Sequence, residues 1–271
     1  MILIDGLGYL LYMAYGKKPF TKGYAIYKKL KILEILHRKE FDSKQLKKGY
    51  GLRLDERIVE YPWFFSRLPL KEGRLLDAGS VLNFDFIITH QSLLTKNIFI
   101  STFAPEKKCF WNKGISYIYE DIREICYKGN FFDWIVSLSV FEHIGLDNTK
   151  YYTNEKSKNE NNLDSYLMVV KEFHRILKPE GVLYLSVPFG KYKNHGWLQI
   201  FNAKMIDAIL ETFSPSSYME NHFRYDSEGW HISSRIESAE STYFDYHEEK
   251  DRYNKDCSVA ARSVVCLELV K

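Results

Sequence analysis

The chain of 271 residues predicts an α/β fold with a largely parallel sheet, and two observations carry that expectation. From residue 74 onward short β-rich runs alternate with helical stretches, the pattern of right-handed βαβ crossovers. The composition, 45% hydrophobic and 16% aromatic, is that of a chain able to bury a full core.

The N-terminal part reads as a helical extension, residues 1–70, ahead of a domain over residues 71–271. Its opening, MILIDGLGYLLYMAYGKK, is apolar but interrupted by Asp5 and too short to span a bilayer, so it is expected to pack or to touch a membrane surface. Lys17 to Arg53 is rich in Lys and Tyr, and Leu30, Ile32, Leu33, Ile35 and Leu36 mark one amphipathic helix. Its basic content suits either peripheral contact with an anionic membrane or acidic glycan, or a plainly solvated face. Asp55 to Leu68 predicts a further helix, with Pro62 expected to break or kink it.

In the domain, strands are expected at 74–79, 97–103, 115–119, 133–139 and 182–188. Helical stretches are expected at 84–94, 165–178 and 202–213. Two late strands, 217–226 and 262–271, are expected to close the sheet as a hairpin-like edge pair, with an ordered excursion between them. The polar run at 147–162 is either a surface loop or a lid over the strand ends.

The net charge of +3 demands no nucleic-acid partner. Cys109, Cys126, Cys257 and Cys266 show no CxxC pair, which suits a reduced, cytoplasmic protein. No metal site is expected: Asp147 and Asn148 lack partner ligands, and His222, His231 and His247 have no paired spacing.

In an open α/β sheet, ligands bind beyond the carboxyl ends of the strands, so the polar residues there are the candidates. Asp77-Ala78-Gly79-Ser80 puts an acid at a strand tip, followed by a glycine where a ligand can approach backbone closely. Later come Glu120-Asp121-Ile122, the run FFDWIVSLSVFEHIG at 131–145 and RILKPEGVLYLSVP at 175–188. This succession resembles the class I S-adenosylmethionine-dependent methyltransferases, in the branch that modifies small molecules and glycans, over nearly all of residues 74–271.

The resemblance implies a Rossmann-like methyltransferase fold: a seven-stranded, mostly parallel sheet with helices on both faces and an antiparallel C-terminal strand. It implies S-adenosylmethionine as cofactor and a small-molecule or saccharide acceptor, methylated at a hydroxyl. Asp77, Ala78 and Gly79 would surround the methionine end, with Ser80 and Asn83 completing the turn. Asp121 and Ile122 would meet the adenine, and Ser137, Ser139 and Val140 would line the cleft. Glu142 and His143 would lie beside the reacting methyl. His143 is the first candidate base and His195 the second, because an imidazole titrates near neutral pH; for each, a loop-ordering role is the alternative, and Glu142 could instead cap the following turn. Tyr192 and Trp197 would form an acceptor wall or simply pack.

Two departures mark this chain. Ser80-Val81-Leu82-Asn83 stands where the family carries further glycines, and the second strand, FISTFAPE, lacks the usual ribose-binding acid. Thr102 lies near that position and Glu106 follows several residues later. A degenerate fold serving as a binding or scaffold protein is therefore the alternative function. A nicotinamide-dependent dehydrogenase ranks last, because the first turn lacks G-x-G-x-x-G.

Overall fold

The computed structural model describes residues 2–245, 249 and 260–271, with side chains from residue 6 onward; His247 and Cys257 lie outside the described residues. The chain forms two compact units: one of Pro69–Val187, Lys191–Glu220 and Cys266–Lys271, the other of Met1–Leu68, Pro188–Gly190 and Asn221–Val265.

The first of these units carries the parallel strands β1 (Gly73–Ala78), β2 (Lys96–Thr102), β3 (Ser116–Tyr119), β4 (Phe132–Leu138) and β5 (Leu177–Pro188). They lie in the order β3-β2-β1-β4-β5, with β1 paired in parallel to both β2 and β4. Parallel pairing brings the carboxyl ends of all five to one edge, and the reversal of strand order between β1 and β4 makes a topological switch point there. The continuous burial of Leu75 to Ala78 in β1 and of Trp134 to Leu138 in β4 is that of central strands covered on both faces, whereas β3 at the edge has no buried residue.

Helix α4 (Tyr166–Ile176) buries Tyr166, Val169, Val170, Phe173 and Ile176, the i, i+3, i+4, i+7 stripe of an amphipathic helix. Helix α5 (Ala203–Phe213) begins at Asn202, whose side chain accepts from Met205 N–H.

The sheet continues from β5 through β10 (Ser263–Val270) and β6 (Ser217–Asp226) to β7 (Gly229–Ser233), eight strands in all. The expected edge pair is therefore corrected: the last strand inserts between β5 and β6. Lys271 N–H donates to Gly181 O, whereas Phe189 N–H donates to Ser263 O, so β10 runs antiparallel to β5. The eighth strand, β7, pairs antiparallel with β6 and was not expected; it belongs to the excursion between the late strands. That excursion also contains the short helix α6 (Arg235–Ser238) and a small antiparallel pair, β8 (Tyr243–Phe244) with β9 (Ala260–Ala261).

Residues 84–94, expected as a helix, form consecutive turns instead. Their N–H groups mostly reach back three residues, as in His90 to Ile87 and Leu93 to His90. Ile87, Ile88 and Thr89 in succession stiffen the side chains against a regular helix, and burial of Ile87, Ile88 and Leu93 fixes the turns.

The second unit contains α1 (Ile2–Ala14), α2 (Tyr24–Arg38) and α3 (Arg57–Arg67). Pro62 does not break α3, and the reason is visible. Proline has no N–H for the carbonyl four residues earlier, and that carbonyl, Ile58 O, accepts from the Tyr50 hydroxyl at 2.9 Å. The helix runs on because its orphaned acceptor is satisfied from outside. Trp230 anchors β7 nearby, donating from Nε1 to Leu54 O at 3.0 Å and from its backbone to Tyr50 O at 2.8 Å.

Candidate active site

The candidate residues lie in the last positions of β1, β2 and β4 or in the segments that follow the carboxyl ends of β1 to β5. At the β1 turn Asp77 is fully buried, and its carboxylate accepts from Val81 N–H at 2.9 Å and Leu82 N–H at 2.8 Å. The acid thus shapes the turn from within. Gly79 has φ +107°, a conformation that strongly favours glycine, and a β-carbon there would stand 2.5 Å from Val140 Cγ2. The close approach that Gly79 permits is to Val140. Ser80 follows at φ +60°, and its buried Oγ has no hydrogen-bond partner among the described residues.

Asn83 is committed on both sides of its amide: Oδ1 accepts from the Tyr117 hydroxyl at 2.8 Å and Nδ2 donates to Lys108 O at 2.9 Å. The Tyr117 hydroxyl also receives Phe110 N–H, which ties the segment after β2 to β3. Thr102 is buried and donates to Ala104 O at 3.2 Å; Glu106 is half-buried.

The end of β3 holds a residue outside the candidate set. Glu120 Oε1 accepts from Ser101 Oγ at 2.6 Å, and its Oε2 accepts from Cys126 N–H at 3.0 Å. A carboxylate is thereby held beside the tip of β2, the strand that lacks its own acid. Its neighbour Asp121 is gripped by Arg123 through Nε at 3.0 Å and Nη2 at 2.5 Å. Burial pushes the Asp121 carboxyl up, but the Arg123 hydrogen bonds more than offset this and hold it below the usual range. Ile122 is buried beside them.

Arg123 also binds Glu160 at 2.6 and 2.7 Å, so the polar run 147–162 is tied to the end of β3. The same run meets the segment after β2 through Phe103 and Tyr152, whose ring centroids are 4.4 Å apart, and returns to the β4 loop where Asn162 N–H donates to Gly145 O. It therefore crosses the carboxyl edge from β4 to β2.

At β4, the Ser137 hydroxyl donates to Ala78 O at 3.0 Å and serves the sheet rather than a cleft. Ser139, at φ +47°, is fixed by its N–H to Ser186 O at 2.9 Å. The loops after β4 and β5 are then stitched together: Gln199 N–H donates to Glu142 O and Asp147 N–H to Gly196 O. His143 Nδ1 lies 3.0 Å from Trp197 O, and its ring is 5.2 Å from the Trp197 ring. A carbonyl only accepts, so Nδ1 carries the proton and Nε2 of the neutral ring keeps its lone pair. Glu142 is buried, with Oε1 4.0 Å from His143 Nε2. Asn148 Nδ2 donates to both His143 O at 2.8 Å and Trp197 O at 3.2 Å. His195 sits in the same stitched segment, its N–H donating to Leu198 O, and Tyr192 is exposed. Among the described residues no group of three or more His, Cys, Asp or Glu side chains is placed to hold a metal ion.

Strand order and the position of these residues define the chain as a Rossmann-like α/β protein with its candidate site at the switch-point edge. No protein-family profile and no curated protein sequence matches it. Among solved structures it is similar to the 1,6-didemethyltoxoflavin-N1-methyltransferase of Burkholderia thailandensis, a complex with 1,6-didemethyltoxoflavin and S-adenosylhomocysteine, at 11% identity and TM-score 0.45 over 92% of this chain and 89% of that one. It is also similar to the YcgJ protein of Bacillus subtilis, at 10% identity and TM-score 0.46 over 78% and 97%. A third similar structure is phosphoethanolamine N-methyltransferase 2 of Haemonchus contortus with S-adenosyl-L-methionine, at 12% identity and TM-score 0.46 over 88% of this chain and 59% of that one. Likeness at this level says nothing of chemistry.

Proposed function

We propose that the protein transfers a methyl group from S-adenosylmethionine to a hydroxyl of a small-molecule or saccharide acceptor, with His143 as the base. The observation that carries this reading is the His143 Nδ1 bond to Trp197 O, which leaves Nε2 as a proton acceptor at the carboxyl edge of β4.

The residues at the strand ends fit the cofactor. The buried Ser80 Oγ without a partner is a polar atom in need of one, and Glu120, held by Ser101, supplies the carboxylate missing from β2. Ser80 and the backbone of 78–80 would hold the methionine end, Glu120 the ribose hydroxyls, and Ile122 the adenine face. When bound, S-adenosylmethionine would supply an electrophilic methyl on a sulfonium.

Every other contribution comes from this chain. Nε2 of His143 takes the acceptor proton as the oxygen becomes a nucleophile. Trp197 O keeps Nδ1–H in place, and the nearby Glu142 carboxylate stabilises the imidazolium that results. The 147–162 run, fastened by Arg123 to Glu160, excludes water from the edge. Asp77 and Asn83 shape the turn and do not need to touch ligand.

Incubation with methyl-labelled S-adenosylmethionine and fractionated small-molecule and saccharide pools tests the reading. Label transfer that is lost in His143→Ala is expected. Cofactor binding with no transfer to any fraction would favour the scaffold alternative.

A further inference from the structure

The N-terminal unit presents an apolar surface of a particular kind. Helix α1 packs on α2 through one face only: Tyr12 stacks on Tyr27 with centroids 4.5 Å apart and is buried. Gly8 lies so close to Ile26 that a β-carbon would collide with it, and Gly23, at φ +85°, lies equally close to the backbone of Gly8 and Tyr12. These approaches fix which face of α1 is turned inward. The opposite face carries Leu7, Leu10 and Met13 at a spacing of three, with Leu7 60% and Leu10 64% exposed. Tyr9, Leu11, Tyr15 and Phe20 are exposed beside them.

Beyond Asp5, the charge along this part of the chain has one sign. From Gly6 to Leu33 there are six lysines and no acidic residue. Of these, Lys28 is paired with Asp55 and Lys31 with Glu34, so the charge of α2 is partly answered within the unit. Lys17, Lys18 and Lys22 are exposed and directly follow the apolar face, with exposed aromatic rings between them. Leucines and methionine outward, tyrosines flanking and lysines at one end are the arrangement of a helix lying in the interface of an anionic bilayer. Among the described residues no helix is long and apolar enough to cross a membrane, and α1 has 13 residues.

We propose that α1 docks on an anionic lipid surface, inserting Leu7, Leu10 and Met13 among the acyl chains while Lys17, Lys18 and Lys22 meet the headgroups. The inference is independent of methyl transfer, and of the two N-terminal segments that could meet a membrane it selects the apolar helix α1 over the basic helix α2.

Co-sedimentation of the full chain with phosphatidylcholine vesicles, alone or mixed with phosphatidylglycerol, tests it. Binding to the mixed vesicles is expected, weakened by salt, and about a hundredfold weaker in the triple variant Lys17→Gln, Lys18→Gln, Lys22→Gln. The pair Leu7→Gln, Leu10→Glu is expected to abolish binding on both compositions while the thermal unfolding midpoint stays within a few degrees of the parent. Because both side chains point outward, a folded variant that still binds normally would overturn the proposal. So would absence of binding to mixed vesicles, or a concentration-dependent dimer in vesicle-free buffer that Leu10→Glu disperses.

Discussion

His143 and Trp197 are joined by a hydrogen bond of 3.0 Å from an imidazole Nδ1 to a backbone carbonyl, and the bond fixes the tautomer of the ring. Two loops from neighbouring parallel strands meet at that bond, and Asn148 fastens both by donating to His143 O and Trp197 O. His143→Ala is expected to lower turnover by about 10²- to 10⁴-fold while cofactor-product affinity holds. Asn148→Ala is expected to lower it less, through a misplaced ring. Steady-state rates beside a binding titration separate the two effects.

Gly79 and Val140 are coupled by close approach. Gly79→Ala is expected to destabilise by about 1 to 3 kcal/mol from the left-handed backbone alone, with a further cost from the collision with Val140. In a Val140→Ala background the second part is expected to disappear and the first to remain. Urea unfolding of the four proteins of this cycle measures the coupling.

Tyr50 replaces the hydrogen bond that Pro62 cannot make. Tyr50→Phe keeps the ring and orphans Ile58 O, so a loss of about 1 to 3 kcal/mol is expected. Combining it with Pro62→Ala, which restores an N–H to the helix, is expected to recover part of that loss.

Glu56 is half-buried as a residue, yet its Oε2 is sealed from solvent and unpartnered among the described residues. Burial first, then the neighbouring Asp55 and Glu60, push its carboxyl up to about 8. The unfolded chain ionises near the ordinary value of 4.5, so its stabilising effect is full below that pH and is lost as pH rises toward about 8. Glu56→Gln is expected to flatten this slope, at most about 1.4 kcal/mol per pH unit. Unfolding midpoints of both proteins across that window are the check.

Much of the fold is legible in the sequence because burial imposes it locally. Strands β1 to β5 are short apolar runs between turn residues, and α4 and α5 carry unbroken apolar stripes. What escapes depends on distant partners. Nothing near Pro62 announces that Tyr50 will satisfy Ile58 O, and the β7 sequence GWHIS has too weak an alternation to stand out before it pairs with β6. At the site, Glu142 and His143 come from one contiguous run, but the tautomer of His143 depends on Trp197, 54 positions away. In the sequence Glu120 is indistinguishable from Asp121 next to it as a candidate at the end of β3. Only the pairing of β2 with β3 reveals that Ser101 reaches Glu120 while Arg123 takes Asp121.

The central claim is that these strand ends bind the nucleoside cofactor, with Glu120 doing the work of the absent β2 acid. Calorimetric titration with S-adenosylhomocysteine tests it most directly. The account predicts saturable one-to-one binding, weakened about tenfold or more in Glu120→Gln and less in Ser80→Ala. An absence of binding heat in the folded parent protein, or an affinity indifferent to Glu120→Gln, would contradict it.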